Sequence, residues 1–209
     1  MEDLFKKTAI TAGVAAVIYL VLFFFFDRAI VLWVDNTFSN TWLFRLGTDI
    51  SYLATGAFIK LAVAICLILI ITIDPGIKKR WTRNLLYICV SCAIAVVIGE
   101  GLKYLLGRHR PIMLFEHSSY GLTYFSSEWA SNSTPSGHTL RAFSILTALS
   151  LLYRRFTSVF ISIAILVGAS RVFVTAHYPS DVVFGAFIGI STAVWTYKYS
   201  FVADNELNK

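Results

Sequence analysis

The sequence predicts an all-α fold: a bundle of six transmembrane helices with interfacial helices in the outer loops. Three observations predict it. Charged residues make up 14% of the 209, where a soluble domain carries about 25%. Mean hydropathy is +0.70. Six apolar runs follow one another along the chain, separated by polar stretches.

Residues 8–26 are uncharged for 19 positions, enough to cross a hydrocarbon core of roughly 30 Å. The run is longer than the apolar region of a secretory signal, and no small-x-small cleavage site follows before Asp27-Arg28, so it reads as a retained helix. The second run is 54–73, interrupted only by Lys60; the third is 84–99 and stops at Glu100. The fourth, 139–153, holds Arg141 near one end; the fifth and sixth are 156–170 and 182–197. Several are short for a span and must extend into the polar residues beside them. With no low-complexity linker and no repeat, residues 1–209 read as one domain.

Lys and Arg counts orient the bundle. One side holds Lys6, Lys7, Lys78, Lys79, Arg80, Arg83, Arg154, Arg155, Lys198 and Lys209; the other holds Arg28, Arg45, Lys103, Arg108, Arg110 and Arg171. The richer side is cytoplasmic by this rule. Both termini then face the cytoplasm, and the loops after the first, third and fifth spans face out. The same reading accounts for the net charge of +6 without nucleic acid, since no basic stripe lies on a soluble face. Cys89 and Cys92 form a C-x-x-C inside an apolar run with no histidine or second pair nearby, a poor zinc site.

Two outer segments are long and aromatic. Residues 27–52 carry Trp33, Phe38, Trp42 and Phe44; residues 108–134 carry Phe115, Tyr120, Tyr124, Phe125 and Trp129. Neither is apolar enough to span, so both are expected at the headgroup level.

Polar residues concentrate at three span ends, all on the outer side. In Lys103-Tyr-Leu-Leu-Gly-Arg-His-Arg110-Pro111, continuation of the third helix would put Lys103 and Arg110 on one face, with Gly107 between them. Snorkelling at a membrane end is the plain alternative. Pro135-Ser136-Gly137-His138 precedes the fourth span, where free N–H groups and the dipole suit an anion. Ser170-Arg171, five residues, His177, three residues, Asp181 links the fifth span to the sixth. Pro179 is placed to open that helix with Asp181 in its first turn, either as a cap or as the partner that orients His177. Arg171 offers a planar fork for phosphate oxygens. Arg108, His109 and His117 read as rim residues, and Glu100 as a partner of Lys103. Ionisable residues that converge at membrane ends are functional by default.

These three segments, in this order, resemble the three-part signature of the PAP2 family, the type 2 phosphatidic acid phosphatases. The resemblance covers residues 103–181 directly. It implies that His177 is the nucleophile that becomes a phosphohistidine, that Asp181 orients and polarises it, and that His138 protonates the leaving oxygen. It implies that Lys103, Arg110 and Arg171 hold the phosphate oxygens, with Ser136 and the Gly137 backbone N–H. No metal or other cofactor is expected: Glu100, Glu116 and Glu128 are single and scattered, and three fixed cations can supply the charge stabilisation phosphoryl transfer needs.

The expected activity is removal of phosphate from a lipid phosphate or diphosphate at the outer face of a bacterial inner membrane, with membrane lipids as surroundings and no nucleic-acid partner. Undecaprenyl pyrophosphate, phosphatidylglycerophosphate, phosphatidic acid and lipid A phosphates are candidate substrates. A lipid A phosphatase or a lipid-to-lipid phosphotransferase of the same family is the alternative. A non-enzymatic lipid or anion transporter does not account for the histidine and aspartate spacing.

Overall fold

The computed structural model describes residues 2–53 and 56–202, and among these every regular element is helical. Lys209, used in the orientation count, and Ala54, at the edge of the second run, lie outside the described residues. α1 (Glu2–Val21) passes through a π-helical turn (Leu22–Phe26) into α2 (Asp27–Phe38). Then come α3 (Trp42–Leu53), α4 (Gly56–Ile73), α5 (Arg80–Leu106), the short α6 (Pro111–His117), α7 (Gly137–Leu152), α8 (Thr157–Phe173) and α9 (Pro179–Tyr197).

Among the described residues, four stretches are long and apolar enough to cross a membrane: Glu2–Phe38, Gly56–Ile73, Arg80–Leu106 and Arg154–Phe173. Their apolar side chains point outward, with Phe25 and Val97 both more than 70% exposed, as in a chain whose solvent is lipid. α7 and α9, which carry the other two expected spans, have 16 and 19 residues. Both bury hydroxyls: Thr139, Ser144, Thr147 and Ser150 on α7, and Ser180, Thr192 and Thr196 on α9. They pack against each other more extensively than any other pair, with α5 and α8 around α7 and α1 and α5 against α9. Helices that face protein need not be apolar all round.

Small residues set that central packing. Gly185 and Gly189 are one turn apart on α9 and meet the backbone of α7: a Cβ at Gly189 would lie 2.6 Å from the Leu140 carbonyl oxygen, and one at Gly185 would lie 2.9 Å from that of Ser136. This is the small-xxx-small device of helices in lipid. Interhelical hydrogen bonds add to it, between the Ser91 and Ser144 hydroxyls (2.9 Å), from the Tyr87 hydroxyl to the Ala193 carbonyl (2.9 Å) and from the Trp195 indole to Thr8 (3.0 Å). In lipid such bonds contribute about 0.6 kcal/mol each on average.

The first outer segment departs from its expected form. Residues 27–38 do not lie apart at the interface; they continue the first helix, in one rod of 37 residues. At 1.5 Å per residue that rod is about 55 Å long, well beyond the hydrocarbon core. Asp27, expected to end the span, is completely buried within the bundle. α3 is separate and keeps Trp42 72% exposed, in line with an interfacial anchor.

Candidate active site

One cavity of about 450 Å³ opens at the end of the bundle where α5 stops and α7 and α9 begin. Lys103, Arg110, Gly137, His138, Arg171 and His177 all line it, with Glu100, Trp129 and Arg141 beside them. Of the eight residues singled out in the sequence, Ser136 and Asp181 are not in the lining; both are fully buried just behind it.

Lys103 and Arg110 reach this cavity by a route the spacing did not indicate. The helix does not continue between them. α5 ends at Leu106, and Gly107 caps it in the left-handed region (φ +54°), which an L side chain adopts only at a cost. Arg110 then takes an extended backbone (φ −78°, ψ 162°) ahead of Pro111, as a residue before proline must. The two cations therefore converge across a turn, not along a helical stripe. Arg110 is pinned by donating to three carbonyls, those of Trp129 (2.9 Å), Asn132 (3.2 Å) and Ala176 (3.4 Å), and its guanidinium lies 4.4 Å from the centre of the Trp129 ring. Lys103 donates to Glu100 at 2.9 Å, the pairing expected for that carboxylate. Arg171 is buried, and its Nε and Nη1 find no acceptor among the described residues. A buried donor left unsatisfied is costly, and an anion in the cavity would satisfy it.

His138 stands second in α7, after Gly137. The first amides of a helix have no intrahelical acceptor, so the positive end of α7 faces the same space as the cations. Ser136 is the residue before the helix; its hydroxyl accepts from Thr139 at 3.0 Å and its N–H donates to the Asp181 carbonyl at 3.1 Å. Its direct part is to hold the start of α7 against α9.

His177 sits between α8 and α9, with 3% of its surface exposed. Its Nδ1 is 2.9 Å from the Ser133 carbonyl oxygen. A carbonyl only accepts, so Nδ1 carries the proton and Nε2 is left with the lone pair. The sequence suggested Asp181 for this orienting bond. The Asp181 carboxylate lies instead 3.7 Å from Nδ1, at ion-pair range, and accepts from the Ser133 hydroxyl (2.6 Å) and the Tyr178 N–H (2.9 Å). As Pro179 predicts, α9 begins there, with Asp181 in its first turn closing a capping box.

Behind Asp181 lies a network that sequence spacing could not show. Arg108, read as a rim residue, is fully buried. Its guanidinium bridges Asp181 (2.5 Å) and Asp27 (2.6 Å) and lies within 5.6 Å of the ring centres of Tyr19, Phe23, Tyr120 and Tyr178. Burial works against its charge, but Asp181, Tyr19 and Asp27 outweigh burial and hold the guanidinium above its ordinary range. Thr134 also donates to Asp181, and Ser180 to Asp27. His109 and His117 are not in the lining: His109 bonds Ser119 and Thr123, and His117 is exposed beside Glu116. Arg141 went unassigned in the sequence, although a lone charge inside an apolar run is itself a signal of function. Among the described residues, no three His, Cys, Asp or Glu side chains are grouped so as to hold a metal.

Known proteins have similar sequences over about half of this chain. A Rhizobium etli protein named lipid A 1-phosphatase is 35% identical over 112 residues, 52% of this chain and 48% of its own. A Sulfolobus acidocaldarius undecaprenyl-diphosphatase is 33% identical over 114 residues, 54% of this chain and 53% of its own. This chain thus spans about half the length of the curated relatives it matches. Two crystal structures share the fold. Aquifex aeolicus LpxE has a TM-score of 0.61 at 24% identity, over 84% of this chain and 97% of that one. The transmembrane PAP2-type phosphatidylglycerolphosphate phosphatase of Bacillus subtilis has a TM-score of 0.62 at 22% identity, over 98% and 95%. The family model described as the PAP2 superfamily matches residues 84–204, more than half of the chain and all three polar segments: the chain belongs to the PAP2 superfamily.

Proposed function

We propose that this protein is a lipid phosphatase that works through a phosphohistidine at His177. One observation carries the reading: a buried imidazole with its proton fixed on Nδ1 faces a cavity that also holds His138, Lys103, Arg110 and Arg171. The names of the relatives, lipid A 1-phosphatase and undecaprenyl-diphosphatase, support a lipid phosphate or diphosphate as substrate. In the membrane the chain crosses six times, α7 and α9 included. Both termini are cytoplasmic and the cavity opens on the outer face of a bacterial inner membrane.

In the first step Nε2 of His177 attacks phosphorus. The N–P bond forms, the bond from phosphorus to the lipid oxygen breaks, and His138 gives its proton to that oxygen. In the second step His138 takes a proton from water, the water oxygen bonds phosphorus, and the N–P bond breaks to release phosphate. Lys103, Arg110 and Arg171 hold the equatorial oxygens in both steps, where charge stabilisation matters most. Asp181 stabilises the positive charge that grows on His177 as it attacks, and Ser133 keeps the proton on Nδ1.

Burial pushes the His177 imidazole down to about 4, against the pull of Asp181 and helped by Arg110. Protonated His177 has no lone pair, so the limb of kcat/KM that His177 sets rises through about pH 4, well below 6.5, where an exposed imidazole titrates. A pH–rate profile with an acid limb at 6.5 would contradict this burial. Turnover is expected to survive EDTA, because fixed cations occupy the place of a metal; a strict, reversible loss on chelation would overturn that part. Phosphate release across a panel of purified lipid phosphates tests the reading as a whole. At least one should be hydrolysed, and release from none counts against it.

A further inference from the structure

Arg141 belongs to none of the three signature segments, yet its side chain lines the same cavity. It is 7% exposed, and its Nε is buried with no partner among the described residues. It stands three residues after His138 on α7, and so on the same helix face, one turn further into the bundle. A Cβ placed on Gly137 would lie 3.2 Å from Arg141 Nη1 and 3.3 Å from Lys103 Nζ. The two cations therefore crowd one point at the start of α7, and glycine is the residue that leaves room for both. Among the described lining residues, Glu100 is the only carboxylate facing Lys103, Arg110, Arg141 and Arg171, and it is bonded to Lys103.

The lysine, arginine and glutamate side chains of the lining thus leave an excess of three positive charges, apart from the proton that His138 donates. A phosphate monoester brings about −1.5 to −2 at neutral pH, which leaves a cation over; a diphosphate monoester carries a further anionic oxygen on its inner phosphate. Arg141 lies on the His138 side, where the leaving oxygen receives its proton. Beyond Arg141 begins an apolar groove lined by Ile59, Val63, Cys92 and Val96. Arg141 lines both, and so stands where the cavity meets the groove.

We infer that Arg141 binds the inner phosphate of a lipid diphosphate and selects that class over lipid monophosphates, an inference that rests on the phosphatase reading of this cavity. His177 attacks the outer phosphorus, the bond to the bridging oxygen breaks, and the lipid monophosphate leaves on Arg141 with the proton from His138.

The test compares undecaprenyl diphosphate with undecaprenyl phosphate, using the purified full chain in detergent micelles. Arg141→Gln should lower kcat/KM for the diphosphate at least tenfold more than for the monophosphate, and Arg141→Lys should recover part of that difference. Equal losses, or a loss on neither, overturn the role of Arg141 while leaving the phosphatase reading intact. Absence of release from either lipid by the wild type counts against the phosphatase reading. Calorimetry then still decides Arg141: the wild type should bind inorganic pyrophosphate at least tenfold more tightly than orthophosphate, and Arg141→Gln should lose that preference. Equal wild-type affinities overturn the inference even if the variant does not fold.

Discussion

Replacing His177 with alanine should lower phosphate release by at least about 10⁴-fold, the scale on which enzymes lose turnover when a nucleophile is removed. No other imidazole can take over the attack. His138, the other histidine in the lining, is assigned to the leaving oxygen, while His109 is held by Ser119 and Thr123 away from the cavity. The cation cradle would survive, since Lys103, Arg110 and Arg171 do not hang on the imidazole. The variant should therefore still bind inorganic phosphate. Its fold should suffer little: the lost bond from Nδ1 to the Ser133 carbonyl is worth about 1 kcal/mol. Release rates alongside thermal unfolding and phosphate binding check all three expectations. A His177→Ala protein that folds, binds phosphate and keeps more than a tenth of its turnover would remove His177 from the chemistry.

The second large effect concerns stability. Arg108→Met should destabilise the fold by about 3–5 kcal/mol, the cost of leaving buried charge uncompensated. Asp27 and Asp181 are both fully buried and both bonded to that one guanidinium. Methionine fills much of the volume among the four rings but cannot neutralise either carboxylate. The signature of this cause is non-additivity. Adding Asp27→Asn to Arg108→Met removes one of the stranded charges, so the double variant should be less unstable than the sum of the singles. Thermal unfolding of the four proteins in one detergent measures the cycle. Strict additivity, or a loss below about 1 kcal/mol for Arg108→Met, would mean that the bridge does not hold the carboxylates.

What could be read along the sequence was what depends on residue type and near neighbours. Pro179 opening α9 with Asp181 in its first turn, the start of α7 at Gly137-His138, and the pairing of Lys103 with Glu100 are all local relations. The errors came where geometry is set from a distance or by one special backbone position. Asp27 meets a guanidinium 81 residues later in the chain, and no spacing rule connects them, so Asp27 read as a span end and Arg108 as rim. Gly107 adopts a left-handed conformation that ends α5, and the assumed helical stripe from Lys103 to Arg110 ends with it. Hydropathy marks the runs that became α7 and α9, but not the hydroxyls and glycines along them that contact other helices. The Gly185–Gly189 pair went unread, because the Ser136 and Leu140 carbonyls it accommodates lie more than 45 residues away in the chain.

The central claim is a covalent bond between His177 and phosphorus. Rapid quenching of the full chain during turnover of a ³²P-labelled lipid phosphate, followed by mapping of the labelled peptide under alkaline conditions that preserve phosphohistidine, tests it most directly. The label should appear on His177 within the first turnover, disappear as phosphate is released, and be absent from His177→Ala. Steady phosphate release with no protein-bound label, or with label on another residue, would contradict the account.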